Sequence, residues 1–285
     1  MPADLKMKTM KASKIINYIK DVLENMPTGW LNLTTHRLDI YDEKLAKTQF
    51  LDRFEVLFND ANSGASALNE LPTAYDYIRL GHPLSCILEW AIGNLHNIKP
   101  ENVITFSSKT VPILAILRKN LLDNKKTQII YTGELPEFFD IEVIKRIYGY
   151  QFNIKHVEKV ADISVFDGST IFISQDDNIS GNNLNSNIDF FINVYAQLGS
   201  VLVVNGERNE HYISDIQHVR RRETISMTPA DSLTALQSLV NKSPFHISAS
   251  NLETNKKIVL DAITSITGAD TKPLVGSSGL SIQYA

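Results

Sequence analysis

Only one cysteine, Cys86, stands in the 285 residues. One thiol cannot close an internal disulfide, so the fold is expected to hold without an oxidising compartment. It sits in an apolar helical run at 84–88, which predicts buried packing rather than reactivity. No run of about 18 apolar residues is present and the N-terminus is polar, so neither a membrane span nor a secretory signal is expected. A cytoplasmic protein is the default. Positive charge is not in excess: the formal net charge is -4 and the sequence pI about 6.0, which argues against nucleic-acid binding as a main task. The short basic runs Arg220-Arg221-Arg222 and Lys125-Lys126 read as solvated faces or helix-end clusters. His82, His96, His211, His218 and His246 show no spacing of the His-Glu-x-x-His kind, so no metal site is expected. Internal repeats and low-complexity tracts are also lacking.

What is present is a hydrophobic share of 43% against 21% charged, enough for a sizeable core. The length predicts one large domain with smaller additions: an N-terminal helical arm at 1–69, an α/β domain at 70–250 and a reduced C-terminal region at 251–285. Ile15, Ile16, Ile19, Val22 and Leu23 mark one stripe of a helix over 11–25. Asp60-Ala61-Asn62-Ser63-Gly64 is a break. Beyond it the pattern is regular. Helices are predicted at 84–95, 111–122, 141–147, 188–197 and 256–266. Strands are predicted at 103–106, 128–131, 152–157, 170–174 and 201–204. Apolar strands alternating with helices of about ten residues predict an α/β fold, a mostly parallel sheet covered by helices on both faces.

Several segments carry a more specific likeness. Gly81-His82-Pro83-Leu84 leads into Leu88-Glu89-Trp90-Ala91-Ile92-Gly93-Asn94-Leu95 and then Ile98-Lys99-Pro100-Glu101-Asn102-Val103. Ile173-Ser174-Gln175-Asp176-Asp177-Asn178-Ile179-Ser180-Gly181 follows, then the strand at 201–204, then Ser243-Pro244-Phe245-His246-Ile247-Ser248. In order and spacing the chain resembles the class I/II, fold-type-I pyridoxal-phosphate-dependent aminotransferases, of the histidinol-phosphate aminotransferase-like kind. The resemblance covers roughly 54–265. It implies the aminotransferase large-domain fold, a dimer, and a cofactor bonded through its aldehyde to a lysine. An acid would hold the pyridine proton, and backbone N–H groups at a helix start would hold the phosphate.

The residues matched to those roles depart from the family. Thr228-Pro229-Ala230-Asp231 stands at the lysine motif, so Asp231 takes the amine's place, and a carboxylate cannot bond an aldehyde in that way. Asn205 matches the strand-end aspartate but carries no charge. The phosphate turn is Ser107-Ser108, and the arginine expected near Ser238 or Leu239 is missing. The resemblance leaves a residual pocket of Asn178, Asn205, Tyr77 (or Tyr75), Ser107, Ser108 and Phe138 (or Phe139). On these grounds no catalytic residue and no bound cofactor are expected. The chain reads as a non-catalytic binding or partner subunit, pairing with itself or with another aminotransferase-fold protein. The alternatives are an active pyridoxal-phosphate aminotransferase using Lys242, or a different enzyme using Glu207, Glu210 and His211 as acid and base. Bland readings stand beside these. Asn178, Gly181 and Asn205 are good turn formers, Lys109 and Lys242 read as solvated lysines, and the Glu207–His211 loop reads as a charged edge.

Overall fold

A computed structural model describes residues 3–32, 43–72, 74, 79–136, 139–175, 184–195, 197–243, 252–268 and 270–276. The chain opens with α1 (Ala3–Asn25), α2 (Glu43–Asn59), the short α3 (Ala65–Asn69) and α4 (Pro83–His96). It then alternates through β1 (Val103–Phe106), α5 (Val111–Leu122), β2 (Thr127–Tyr131), α6 (Ile141–Tyr148), β3 (Asn153–His156) and β4 (Ser169–Ser174). The strands β5 (Phe190–Tyr195) and β6 (Gly199–Val204) come next, followed by α7 (Tyr212–Glu223), α8 (Pro229–Asn241) and α9 (Leu252–Thr267).

The strands form one six-stranded mixed sheet in the order β1-β6-β5-β4-β2-β3. Pairings among β3, β2, β4 and β5 are parallel, while β6 is antiparallel to both β5 and β1. Five strands therefore run one way and β6 alone runs back. Each face is covered, as near-continuous apolar strands require. On one side Val103, Ile130, Phe172, Phe191 and Val203 pack under α1, α2, α4 and α8. On the other, Ile104, Ile129, Ile171, Ile192 and Leu202 pack under α5, α6 and α7.

The expected helix at 188–197 is instead the strand β5. Its run Phe-Phe-Ile-Asn-Val-Tyr is buried along its whole length, and such a run has no period that separates a buried strand from a buried helix. Neighbours on both edges decide it: β4 pairs with β5 from Ile171↔Phe190 and β6 pairs from Tyr195↔Gly199. The return into β6 is a tight hairpin, and Gly199 (φ +113) carries no Cβ because one would lie 2.1 Å from the Phe106 carbonyl oxygen. This hairpin sets the position of everything downstream.

Local signals explain the helix ends. His82 caps α4: its Nδ1 accepts from the Ser85 N–H and Ser85 Oγ accepts from the His82 N–H, with Pro83 in the first turn. Asp140 caps α6 and Gly149 (φ +70) ends it.

Candidate functional site

In a sheet of parallel strands, ligands bind outside the carboxyl ends, where loops leave the strands. Here that edge is formed where β1, β2, β4 and β5 end, at Phe106, Tyr131, Ser174 and Tyr195. Ser107 and Ser108 lie on it. The Ser107 N–H donates to the Ile225 carbonyl (3.1 Å), and its hydroxyl lies near the Ile225 carbonyl (3.2 Å) and the Thr224 hydroxyl (3.3 Å). The Ser108 carbonyl accepts from the Ser200 hydroxyl at 2.6 Å. Lys109 continues the same turn, half-buried.

The start of α5 is satisfied from within. Ser108 Oγ accepts from the N–H groups of Thr110 (3.3 Å) and Val111 (3.1 Å), residue 112 is proline, and the N–H groups of Ile113 and Leu114 donate to the Thr110 carbonyl. A helix start attracts anions through unpaired N–H groups, and these four N–H groups already have acceptors.

Asp231 occupies the third position of α8, where it completes a helix cap. Thr228 Oγ1 accepts from the Asp231 N–H (3.2 Å) and donates to the Asp231 carboxylate (2.6 Å). Burial raises its pKa, and the Thr228 hydrogen bond opposes the rise. Lys242 is the left-handed C-cap of the same helix. Eleven residues of helix put it roughly 16 Å from Asp231 along the axis, at the other end of α8.

Asn205 ends β6, and because β6 runs backwards it lies at the amino edge of the parallel strands, opposite Ser107 and Ser108. Its side-chain amide donates to the carbonyls of Asn185 (3.1 Å) and Ile188 (2.7 Å), and its own N–H donates to the Asp189 carbonyl. It closes the turn into β5. The same reversal moves Glu207, Glu210 and His211 to that far edge, where Glu210 pairs with Lys99 at 2.9 Å. The structure therefore puts the consecutive residues Ser107, Ser108 and Lys109 at one edge of the sheet, and Asn205 with the Glu207–His211 loop at the other. Tyr75, Tyr77, Phe138, Asn178 and Gly181 lie outside the described residues. Phe139 is buried against Phe152 on the α6 side.

Sequence reasoning missed the densest charge cluster. Glu89 on α4, fully buried, sits between Lys47 Nζ of α2 (2.6 Å) and Arg220 of α7 (3.1 Å). Burial works to raise the Glu89 pKa, but Lys47, then Arg220, and the accompanying hydrogen bonds outweigh it and hold the carboxylate ionised. Arg220, expected on a solvated face, is 0% exposed. The signal was available in the periodicity: Tyr212, Ile216, Val219 and Arg220 share the buried stripe of α7. Nearby, His82 Nε2 lies 2.7 Å from the Met227 carbonyl while Nδ1 accepts from Ser85, so the ring is neutral with its proton on Nε2. Burial pushes its pKa down to about 4. Cys86 is buried in this core, and desolvation pushes its thiol pKa up, leaving it inert.

Among the described residues no group of three or more His, Cys, Asp or Glu is placed to hold a metal ion, and no helix is long and apolar enough to cross a membrane. No family model and no curated protein matches the sequence. Solved structures of similar fold exist. The chain is similar to the crystal structure of metB from Corynebacterium glutamicum, at 10% identity and TM-score 0.43, over 79% of this chain and 63% of that one. It is similar, at 11% identity and TM-score 0.43, to cystathionine gamma-lyase from Lactobacillus plantarum complexed with L-serine, over 79% and 63%. A third structure is cystathionine gamma synthase from Xanthomonas oryzae pv. oryzae in complex with aminoacrylate and cysteine, at 11% and 0.39, over 70% and 60%. The chain thus spans less than two thirds of the length of each, and the likeness is one of fold.

The expectation that no cofactor is held does not stand beside these comparisons, and pyridoxal phosphate is the alternative that the sequence resemblance named. The described residues fit that group poorly. At the start of α5, where the resemblance would put the phosphate, the Thr110 and Val111 N–H groups already donate to the Ser108 hydroxyl, and Asp231 supplies a cap rather than an amine. Lys109 is the lysine, of those singled out in the sequence, that lies at the carboxyl edge.

Proposed function

We propose that this chain is a fold-type-I, pyridoxal-phosphate-enzyme-like scaffold that works as a non-catalytic binding or partner subunit. It pairs with itself or with an active protein of the same fold. The observation that carries the reading is Asp231: the residue matched to the bond-forming lysine commits its carboxylate to Thr228 Oγ1 and its N–H to the same hydroxyl. Nothing in that arrangement can bond an aldehyde, and Lys242 is a helix length away. Pyridoxal phosphate, where it binds, is held reversibly and without a covalent link to the chain.

One observation favours a second reading. Lys109 sits on the turn between Ser108 and Thr110, at the edge where ligands of such sheets bind, so it replaces Lys242 as the amine of an active enzyme.

Incubating the full chain with pyridoxal phosphate, reducing with borohydride and mapping adducts by mass spectrometry separates the two. The first reading expects no stoichiometric pyridoxyl-lysine and no half-transamination of amino acids. A stoichiometric adduct at Lys109, abolished in Lys109→Ala, would sink it in favour of the second. Light scattering after gel filtration tests the pairing; a monomer both alone and with active paralogues removes the partner role.

A further inference from the structure

Among the described residues the strand β1 lies at the end of the sheet and pairs on one side only, with β6. An unpaired strand edge leaves a row of backbone N–H and C=O groups that must find partners when buried. In this antiparallel pair Val103 and Thr105 alternate with Ile104 and Phe106, and it is Val103 and Thr105 whose backbone groups are met from outside the sheet. The Val103 carbonyl accepts from Lys47 Nζ at 3.2 Å. The Thr105 N–H donates to Glu89 Oε1 at 2.8 Å, and the Thr105 carbonyl accepts from Arg220 Nη1 at 2.9 Å. One step further along, the Ser107 N–H donates to the Ile225 carbonyl, on the segment that leaves α7.

We infer that Lys47, Glu89 and Arg220 form an edge lock, three buried charges that stand in for a seventh strand along the outer side of β1 and stop the sheet at six. Each member comes from a different helix, α2, α4 and α7, so the lock also fastens those helices to the sheet. Lys47 extends the contact by donating to the Pro100 carbonyl at 3.1 Å. The carboxylate offsets one of the two cations, and the Pro100, Val103 and Thr105 carbonyls accept further N–H groups of Lys47 and Arg220, the kind of partnering under which buried ions are tolerated. Apolar side chains of equal size would leave the Val103 carbonyl and both Thr105 groups buried without partners. This triad is therefore not exchangeable for hydrocarbon.

The test is amide hydrogen exchange at Thr105, read by NMR in the full chain. In the native protein this edge amide exchanges as slowly as the central strands β4 and β5. In Glu89→Leu its protection falls at least about a hundredfold further than in Ile144→Ala, a cavity variant on the opposite face of the sheet. Glu89→Gln keeps an oxygen at the site and holds Thr105 at the protection set by its own global stability. Equal protection of Thr105 in Glu89→Leu and Ile144→Ala overturns the lock. If Glu89→Leu does not fold, Glu89→Gln decides: Thr105 exchanging with β4 and β5 supports the lock, and Thr105 exchanging ahead of them overturns it.

Discussion

At the scale of single residues, His82 shows how a cap becomes a pH-dependent term. Its imidazole is neutral, buried and doubly hydrogen-bonded, with a pKa near 4 in place of the ordinary 6.5. Between those values the unfolded chain takes up a proton that the folded chain refuses. Stability is therefore complete above about pH 6.5 and falls as pH drops, by about 3 kcal/mol on reaching pH 4. Glu89 acts in the same direction at lower pH, since its pKa lies below the ordinary 4.5 and its ionised form holds the triad together. Replacing His82 with asparagine keeps a helix cap and removes the titration. Urea unfolding at half-unit intervals should then show a clearly shallower slope between pH 6.5 and 5, what remains coming from His96, whose pKa burial also lowers; an unchanged slope would exclude His82 as a source.

At the scale of elements, the β5–β6 hairpin is the decisive feature. It reverses one strand, and that reversal carries Asn205 and the Glu207–His211 loop to the edge away from Ser107 and Ser108. Gly199 makes the reversal possible, because a Cβ there would sit 2.1 Å from the Phe106 oxygen and 2.9 Å from the Ser107 Cα. Gly199→Ala should cost more than about 3 kcal/mol, from strain and from loss of close packing against β1. Thermal unfolding measures it, and a loss under 1 kcal/mol would mean that the hairpin moves without cost. Elements bounded by clear turn signals, such as α5 and β4, were legible from the sequence. The run at 190–195 was not, since an apolar side chain at nearly every position suits a buried strand and a buried helix alike.

At the scale of the whole molecule, the N-terminal helices share the core of the α/β part. Ile15, Ile19 and Val22 of α1 and Phe50 and Phe54 of α2 belong to the same buried cluster as Leu84, Leu88 and Trp90 of α4. Tyr18, Phe54 and Phe58 pack edge-on or tilted around Trp90, whose indole N–H donates to Glu55. A chain beginning at residue 70 would expose that face of α4 to water and take Lys47 from Glu89. It should show no cooperative thermal transition and little near-ultraviolet dichroism. A sharp transition in that truncated chain would establish 1–69 as an arm rather than part of the core.

The sequence by itself determined the alternation of helix and strand, the burial of Cys86, and the breaks and caps, because these depend on residues near one another in the chain. Only the tertiary structure decided which way β6 runs, which edge receives Asn205, and that Arg220 is buried beside Glu89. The burial of Arg220 rests on ion contacts far apart in the chain, such as Glu89 with Thr105 and with Arg220, and the direction of β6 on its pairing with both β5 and β1; no local pattern encodes such contacts.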